Sequence, residues 1–157
     1  MSIDGEAMRI AREHPTAPGV AELIAASDAF SAALYPPESN HGIGLDELAG
    51  PAVRLFVARA GDAAIGCVAY KRQAGGFAEV KRLYVTERAR GLQLGALLMA
   101  AIEASARADA VAVLRLETGI YNDAALTLYR RLGFAEIGPF PPYRDDPLSV
   151  FMQKVLV

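Results

Sequence analysis

The chain has 157 residues and a net charge of −2, with 53% hydrophobic and 22% charged residues, which describes a globular protein rather than a disordered one. A nearly neutral chain without an apolar run long enough to cross a bilayer predicts no nucleic-acid partner and no membrane partner. The single cysteine, Cys67, excludes an internal disulfide and indicates a reducing, cytoplasmic location. With one cysteine and two histidines, the sequence predicts no metal-ligand cluster.

The N-terminal part predicts a short strand, a helix and a long loop. Residues 8–12 alternate in polarity as a strand does, and a proline near Thr16 marks the start of a helix that continues to about Leu34. Prolines and glycines over residues 35–44 break that helix, and a short helix follows at 45–49. We interpret the loop as a lid over a substrate, or alternatively as an ordinary solvated loop. Its candidate pocket residues are Tyr35, Glu38 and His41.

Three strands and a long helix follow. Residues 53–60 and 63–72 form a hairpin around a Gly-Asp turn, and the second strand is apolar on both faces, as a central strand is. Residues 78–85 are a third strand, rich in β-branched and aromatic side chains. Apolar residues from Leu94 onward recur with helical spacing.

The loop between that third strand and the helix has the composition of an anion site. A helix N-terminus presents unpaired N–H groups and a favourable dipole. Gly91 and Gly95 allow close approach to the backbone, and Arg88 and Arg90 are donors suited to phosphate. We therefore predict that this loop holds a pyrophosphate.

The remaining elements complete a mixed sheet. Residues 111–117 are a strand that should run parallel to strand 78–85, because a helix connects the two. Asn122 is predicted to cap a helix that ends before Gly133. A short strand at 134–137, an irregular loop at 138–147 and a last strand at 148–156 follow. The order β-α-α-β-β-β-α-β-α-β-β predicts a mixed α/β sheet.

Two motifs resemble the GCN5-related N-acetyltransferases. Residues 122–134 read Asn-Asp-Ala-Ala-Leu-Thr-Leu-Tyr-Arg-Arg-Leu-Gly-Phe, which follows that family's Asn-x-x-Ala-x-x-Leu-Tyr-x-x-x-Gly-Phe pattern. Residues 90–95 read Arg-Gly-Leu-Gln-Leu-Gly, with Gln93 where the family usually has its first glycine. A non-glycine residue in helical conformation can still present its N–H there. The likeness covers about residues 53–134.

The resemblance implies a single N-acetyltransferase domain over residues 1–157, of mixed α/β (α+β) class, with a cofactor-binding β-α-β core at about 78–134. It implies that acetyl-CoA enters between strands 78–85 and 111–117 where these splay apart, that main-chain groups pair with the pantetheine arm, and that residues 90–96 cradle the pyrophosphate. The implied acetyl-CoA contacts are Leu83, Tyr84, Val85, Arg90, Gly91, Leu92, Gln93, Leu94, Gly95, Ala96, Asn122, Ala125 and Tyr129.

The resemblance also suggests the catalytic groups. Tyr129 would donate a proton to the departing sulfur, and Glu79 would act as the base directly or through water, unless it is a surface carboxylate beside Lys81. Glu117 is a second candidate base. An N–H of the splayed strand, such as that of Tyr84, would stabilise the oxyanion. Tyr143 and Arg144 on the late loop are candidates for closing over the acceptor.

Two other functions compete with acetyl transfer to a small-molecule or peptide amine. A nicotinamide-dependent oxidoreductase is suggested by Glu117, an acid about 20 residues past the glycines, but the Gly-x-Gly-x-x-Gly turn is absent. A non-catalytic acyl-CoA sensor would keep the fold, although Tyr129 and Glu79 argue against it. Exposed strand edges make a homodimer a further expectation. The acceptor itself stays open.

Overall fold

The computed structural model describes residues 2–156, which form one mixed sheet of eight strands with four α-helices. The strands are β1 Ser2–Ile3, β2 Glu6–Arg12, β3 Val53–Ala60, β4 Ala63–Gln73, β5 Phe77–Val85, β6 Val113–Gly119, β7 Ala135–Ile137 and β8 Ser149–Val155. The helices are α1 Val20–Leu34, α2 Leu45–Leu48, α3 Leu94–Ala108 and α4 Asp123–Arg131, with 3₁₀ turns at Pro37–Ser39 and Glu87–Ala89. The predicted α/β class is confirmed.

The strand order is β1-β2-β3-β4-β5-β6-β8-β7, and β5 with β6 is the parallel pair. Helix α3 connects these two strands, as the sequence predicts. Their pairing covers only Phe77–Glu79 against Val113–Arg115, after which the two strands diverge. Strand β6 remains paired with β8 along its whole length, up to Gly119 opposite Ser149. The sheet therefore opens in its middle, on the side toward the C-terminal ends of β5 and β6.

The two faces of the sheet carry different cores, because strand side chains alternate between faces. Helices α3 and α4 cover one face, with Leu98, Ile102, Leu114 and Leu126 among its buried residues. Helices α1 and α2 cover the other, with Leu23, Leu48, Leu55 and Ala69 among its buried residues. Lys81 pairs with Ala69, and Glu79 lies two residues before it. Both charged residues therefore stand on the α1 face, beside the opening.

Some boundaries differ from the sequence predictions for local reasons. Helix α1 begins at Val20 rather than near Thr16, because Gly19 has a left-handed φ of 81° that no α-helix contains. Strand β2 is longer than predicted and forms a hairpin with β1, which the sequence analysis missed. In the described part of the chain, no helix is long and apolar enough to cross a membrane.

The buried cysteine provides a direct check of this packing. Cys67 is 0% exposed in the α1-side core, its Sγ donates to the Arg82 carbonyl at 3.2 Å, and burial raises its pKa to about 12. Because the thiolate is the reactive form, we expect no labelling by a thiol-specific disulfide reagent at pH 8 in native protein. One thiol per chain should react in urea. Rapid native labelling would contradict the described core.

Candidate active site

The opening between β5 and β6 leaves main-chain groups without a strand partner. Beyond Glu79, no described strand pairs with the β6-facing side of β5, which continues to Val85. A β-bulge lies in this stretch, because Arg82 and Leu83 together oppose a single residue of β4. Arg82 has a left-handed φ of 59°, which is strained for a residue with a side chain. An extended ligand could therefore add to this side of β5 as a strand would.

The loop after β5 ends in a row of free amides. Among described residues, no protein oxygen accepts a hydrogen bond from the backbone N–H groups of residues 91–96. Gly91 has a φ of 80°, and no atom lies within 4 Å of where a Cβ would stand. Gln93, the N-cap of α3, adopts a left-handed φ of 59° rather than the helical conformation expected from the sequence. The glutamine thus keeps a backbone shape that glycine favours, and the amides face outward.

The side chains of the two arginines in this loop contact other groups of the protein. Arg90 Nε donates to the Val85 carbonyl at 3.2 Å, and its guanidinium lies 5.3 Å from the Phe30 ring centroid. Arg88 pairs with Asp4 at 3.3 Å, and both side chains are largely exposed. Exposed pairs of this kind contribute little to stability, so Arg88 remains available to an anion. The amides are thus the fixed part of the predicted anion site.

Two predicted site residues, Asn122 and Tyr129, belong to helix α4 and its N-cap, on the α3 face of the sheet. Tyr129 is 5% exposed and packs on Phe134, and burial raises the pKa of its hydroxyl, with the negative charge of Glu117 adding to the effect. Asn122 occupies the N-cap position, but its side chain does not cap the helix, contrary to prediction. Its Nδ2 donates to Thr118 Oγ1 at 3.2 Å, and its buried Oδ1 has no partner among described residues.

The predicted base Glu79 is enclosed by other side chains. It is 3% exposed and forms an ion pair of 2.9 Å with Lys81 through Oε2. The Tyr143 hydroxyl donates to the same oxygen, and Gln73 Nε2 donates to Oε1 at 3.4 Å. The surface-carboxylate interpretation is therefore wrong, because Glu79 is buried. Tyr143 does approach the site, as the sequence suggested.

Glu117 stands on the same face in a different environment. It is half-buried, and its Oε2 accepts a hydrogen bond of 2.7 Å from Ser149 on β8. Burial raises the pKa of Glu117 and the charge of Glu79 adds to this, whereas the Ser149 bond, His41 and Lys81 oppose it. No Lys, Arg or His nitrogen of the described chain lies within 4 Å of its carboxylate.

Both irregular loops close over this face. Lys81 Nζ donates to the His41 carbonyl at 3.0 Å, and the His41 and Tyr143 rings meet edge to face at 5.1 Å between centroids. Ser39 donates to Asp146 at 2.7 Å, which ties the two loops together. These contacts support the lid interpretation of residues 35–44. The predicted pocket residue Glu38 and the predicted closing residue Arg144 are exposed and are not brought into the site.

Several site residues were missed by sequence reasoning. Tyr121 stacks on Tyr35 with centroids 5.7 Å apart, and its N–H donates to the Tyr35 hydroxyl at 3.0 Å. Ser149 and Gln73 contact the two carboxylates. Arg82 fastens the bulge to the lid by donating to the Ile43 carbonyl at 2.9 Å. Only the alternation of strand residues could have placed Gln73 and Ser149 on this face.

Comparison with known proteins finds similarity over most of the chain. A model of the acetyltransferase (GNAT) family matches residues 19–134. An IAA acetyltransferase from Azospirillum brasilense is 47% identical over 148 residues, covering 94% of this chain and 97% of that protein. The uncharacterized N-acetyltransferase YsnE of Bacillus subtilis is 34% identical over 125 residues, covering 78% of this chain and 83% of that protein.

Solved structures show the same fold. A protein from Klebsiella pneumoniae, provisionally assigned as an acyl-CoA N-acyltransferase, superposes with a TM-score of 0.81 at 40% identity, covering 96% of this chain and 98% of that one. The PaiA N-acetyltransferase from Thermoplasma acidophilum, solved with coenzyme A, gives a TM-score of 0.73 at 17% identity, covering 95% and 99%. In the described residues, no cluster of three or more His, Cys, Asp or Glu could hold a metal.

Proposed function

Because this chain belongs to the acetyltransferase (GNAT) family, we propose that it transfers the acetyl group of acetyl-CoA to a primary amine of a small molecule or peptide. The observation that carries this proposal is the row of free amides at residues 91–96, placed at the mouth of the opening between β5 and β6. Such amides at a helix N-terminus bind phosphate groups. The cofactor-binding segment is then about 78–134, within one domain proposed to span residues 1–157.

Further features of the opening support acetyl-CoA as the donor. Beyond Glu79, the β6-facing side of β5 has no strand partner in the described chain, so the main chain of Leu83 and Val85 is proposed to pair with the pantetheine amides. The buried Asn122 Oδ1 without a partner fits an amide N–H of the same arm. Ala125, in the first turn of α4, is proposed to line this side. The thioester would then lie between β5 and Tyr129.

The proposed reaction is direct attack by the amine on the thioester carbonyl. Tyr129 is the proposed proton donor to the departing sulfur, since burial keeps its hydroxyl protonated. The N–H of Tyr84, suggested by the sequence as the oxyanion donor, faces Cys67 of β4 instead of the opening, so it is not part of the proposed site. Glu79 is the proposed proton acceptor, acting through water or the Tyr143 hydroxyl because its own oxygens are enclosed.

The family assignment favours acetyl transfer over the nicotinamide oxidoreductase suggested by Glu117. A homodimer and a cytoplasmic location stay predictions. The acyl-CoA sensor alternative is distinguished by turnover, which the Tyr129 experiment measures.

Calorimetry with acetyl-CoA tests the donor site. Wild type should bind it with a single site, and Gly91→Val should weaken binding about tenfold or more, because a β-branched residue strains a φ of 80°. Gln93→Gly is the matched control, since glycine adopts the left-handed φ of 59° freely and should keep wild-type affinity. Absence of acetyl-CoA binding by folded wild type would overturn the proposed function.

A further inference from the structure

Arg115 is a charged residue of the α1 face that the proposed reaction does not use. It lies on β6 opposite Glu79 of β5 and Gln153 of β8, so its side chain is on the same face as that of Glu79. Its Nε is buried and has no hydrogen-bond partner among the described residues. No carboxylate of the described chain forms an ion pair with it. A buried donor of this kind needs another source of stabilisation, because leaving it unpaired costs free energy.

Two aromatic rings provide that stabilisation. The Cζ of Arg115 lies 3.4 Å from the ring centroid of Phe77 on β5 and 5.4 Å from that of Phe140. The face of an aromatic ring attracts a cation, and the attraction is stronger where water is excluded. Glu79, although opposite Arg115 in the sheet, pairs instead with Lys81 at 2.9 Å. Arg115 therefore connects the sheet to Phe140, which belongs to the irregular loop at residues 138–147.

Phe140 attaches that loop to the sheet. Among residues 138–147, all of which the structure describes, it is the one buried side chain, at 4% exposure. Its ring packs edge to face on Phe151 of β8, with 5.8 Å between centroids. The hydrogen bond from Ser39 to Asp146 holds the other end of the loop. The contacts of Phe140 with Arg115 and Phe151 therefore fix where the first half of the loop lies.

The same half of the loop carries Tyr143. The Tyr143 N–H donates to the Phe140 carbonyl at 2.8 Å, and the two rings meet edge to face with 5.1 Å between centroids. A displacement of Phe140 would therefore move Tyr143 with it. The Tyr143 hydroxyl donates to Glu79 and accepts from Lys81 Nζ. The position of Phe140 thus determines whether this hydroxyl reaches the proposed proton acceptor.

We propose that Arg115 is a positioning residue for acetyl transfer, because it holds Phe140 and thereby places the Tyr143 hydroxyl on Glu79. This inference rests on the proposed function, in which Glu79 receives a proton through water or that hydroxyl, and it assigns the path to the hydroxyl. Tyr143 gives its proton to Glu79 and takes one from the acceptor's ammonium group, so Tyr143 ends unchanged and the amine ends neutral. Arg115 acts through the loop and contacts neither substrate in the proposed arrangement.

Hydrogen exchange tests the loop independently of turnover. Arg115→Met keeps an unbranched apolar side chain and removes the guanidinium, so residues 138–147 should exchange about tenfold faster, with strands β3 and β4 unchanged. Arg115→Lys keeps a cation near the rings and should give an intermediate rate. Arg9→Met is the matched control, because Arg9 is a strand arginine whose Nη1 donates to the Gly61 carbonyl at 2.6 Å. It should leave exchange in the loop unchanged.

A double-mutant cycle tests the link to catalysis, with thiol release from acetyl-CoA and phenethylamine as the primary-amine probe. Arg115→Met should lower kcat about tenfold or more, whereas acetyl-CoA affinity measured by calorimetry should be unchanged. In Tyr143→Phe, which lacks the hydroxyl and keeps the ring, the same substitution should lower kcat less than about twofold, because the group that Arg115 positions is absent. Arg115→Lys should recover part of the kcat, and Arg9→Met should have the wild-type kcat.

The outcomes separate this inference from the proposed function. Unchanged exchange at residues 138–147 in Arg115→Met would overturn the contact on which the inference depends. Faster exchange with an unchanged kcat, or an equal loss of kcat with and without the Tyr143 hydroxyl, would overturn the positioning role. Absence of acetyl-CoA binding or of thiol release in folded wild type would instead count against the proposed function, and the exchange rates would still decide whether Arg115 holds the loop.

Discussion

Replacing Tyr129 with phenylalanine is expected to lower kcat about 100- to 1,000-fold while leaving acetyl-CoA affinity unchanged. The substitution removes the hydroxyl that is proposed to protonate the sulfur and retains the ring that packs on Phe134 at 5.6 Å between centroids. Release of free thiol measures kcat with phenethylamine as acceptor, and calorimetry measures acetyl-CoA binding. Because the loss lies in a proton transfer, KM should change much less than kcat.

The pH dependence adds a second readout to this experiment. Burial raises the pKa of Tyr129, so the hydroxyl stays protonated through neutral and moderately alkaline pH. Wild type should therefore show no loss of activity from Tyr129 ionisation below pH values near the ordinary tyrosine pKa of about 10. An alkaline limb well below that value, absent in Tyr129→Phe, would mean that the hydroxyl is activated rather than buried and would contradict the described environment.

Tyr70→Phe is the matched control, because it removes another buried hydroxyl outside the site. Tyr70 lies on strand β4. Its hydroxyl donates to Asp109, just after helix α3, at 2.6 Å and contacts Ser105 of α3 at 2.6 Å. This variant should lose about 1–3 kcal/mol of stability, since it removes a hydrogen bond to the carboxylate of Asp109, and it should keep its kcat. Equal kcat for Tyr129→Phe and wild type would exclude Tyr129 as the acid. Wild type that binds acetyl-CoA without turnover of any amine would favour the sensor.

Gly119→Ala is expected to destabilise the protein by about 1–3 kcal/mol and to raise KM for the amine acceptor. A Cβ at this position would overlap the Cζ and hydroxyl of Tyr35. Tyr35 is 7% exposed, stacks on Tyr121 and accepts its N–H, so moving the ring would break both contacts. The ring would be displaced from the acceptor side of the opening. Urea unfolding measures the stability, and steady-state kinetics measure the KM.

A double-mutant cycle makes this prediction specific. Tyr35→Leu shortens the side chain so that the overlapping atoms are absent, and adding Gly119→Ala to it should then have almost no further effect on stability. Gly138→Ala is the matched control, because no atom lies within 4 Å of its Cβ position, and it should be nearly neutral. If Gly119→Ala lowered the stability equally in both backgrounds, the loss would not arise from overlap with Tyr35.

The donor half of the site was predictable because its determinants are local. The free amides at residues 91–96 follow from a strand, a glycine turn and a helix that are consecutive in the chain. The periodicity from Leu94 and the motif at residues 122–134 located α3 and α4, and the role of Tyr129 stays a proposal. Even so, the left-handed Gln93 and the uncapped Asn122 were missed, since their conformations depend on neighbours outside the motif.

The acceptor half was decided by tertiary structure. Glu79 meets Tyr143 across 64 positions, and Ser39 meets Asp146 across 107. Composition and periodicity define single elements, but they do not specify which loops meet above a sheet. The sequence by itself determined the α/β class, the strand–turn–helix order around residues 85–96 and the helix that carries Tyr129. Only the folded chain decided that Lys81 compensates Glu79 and not Glu117, because ion pairing depends on distances that strand register and loop closure set.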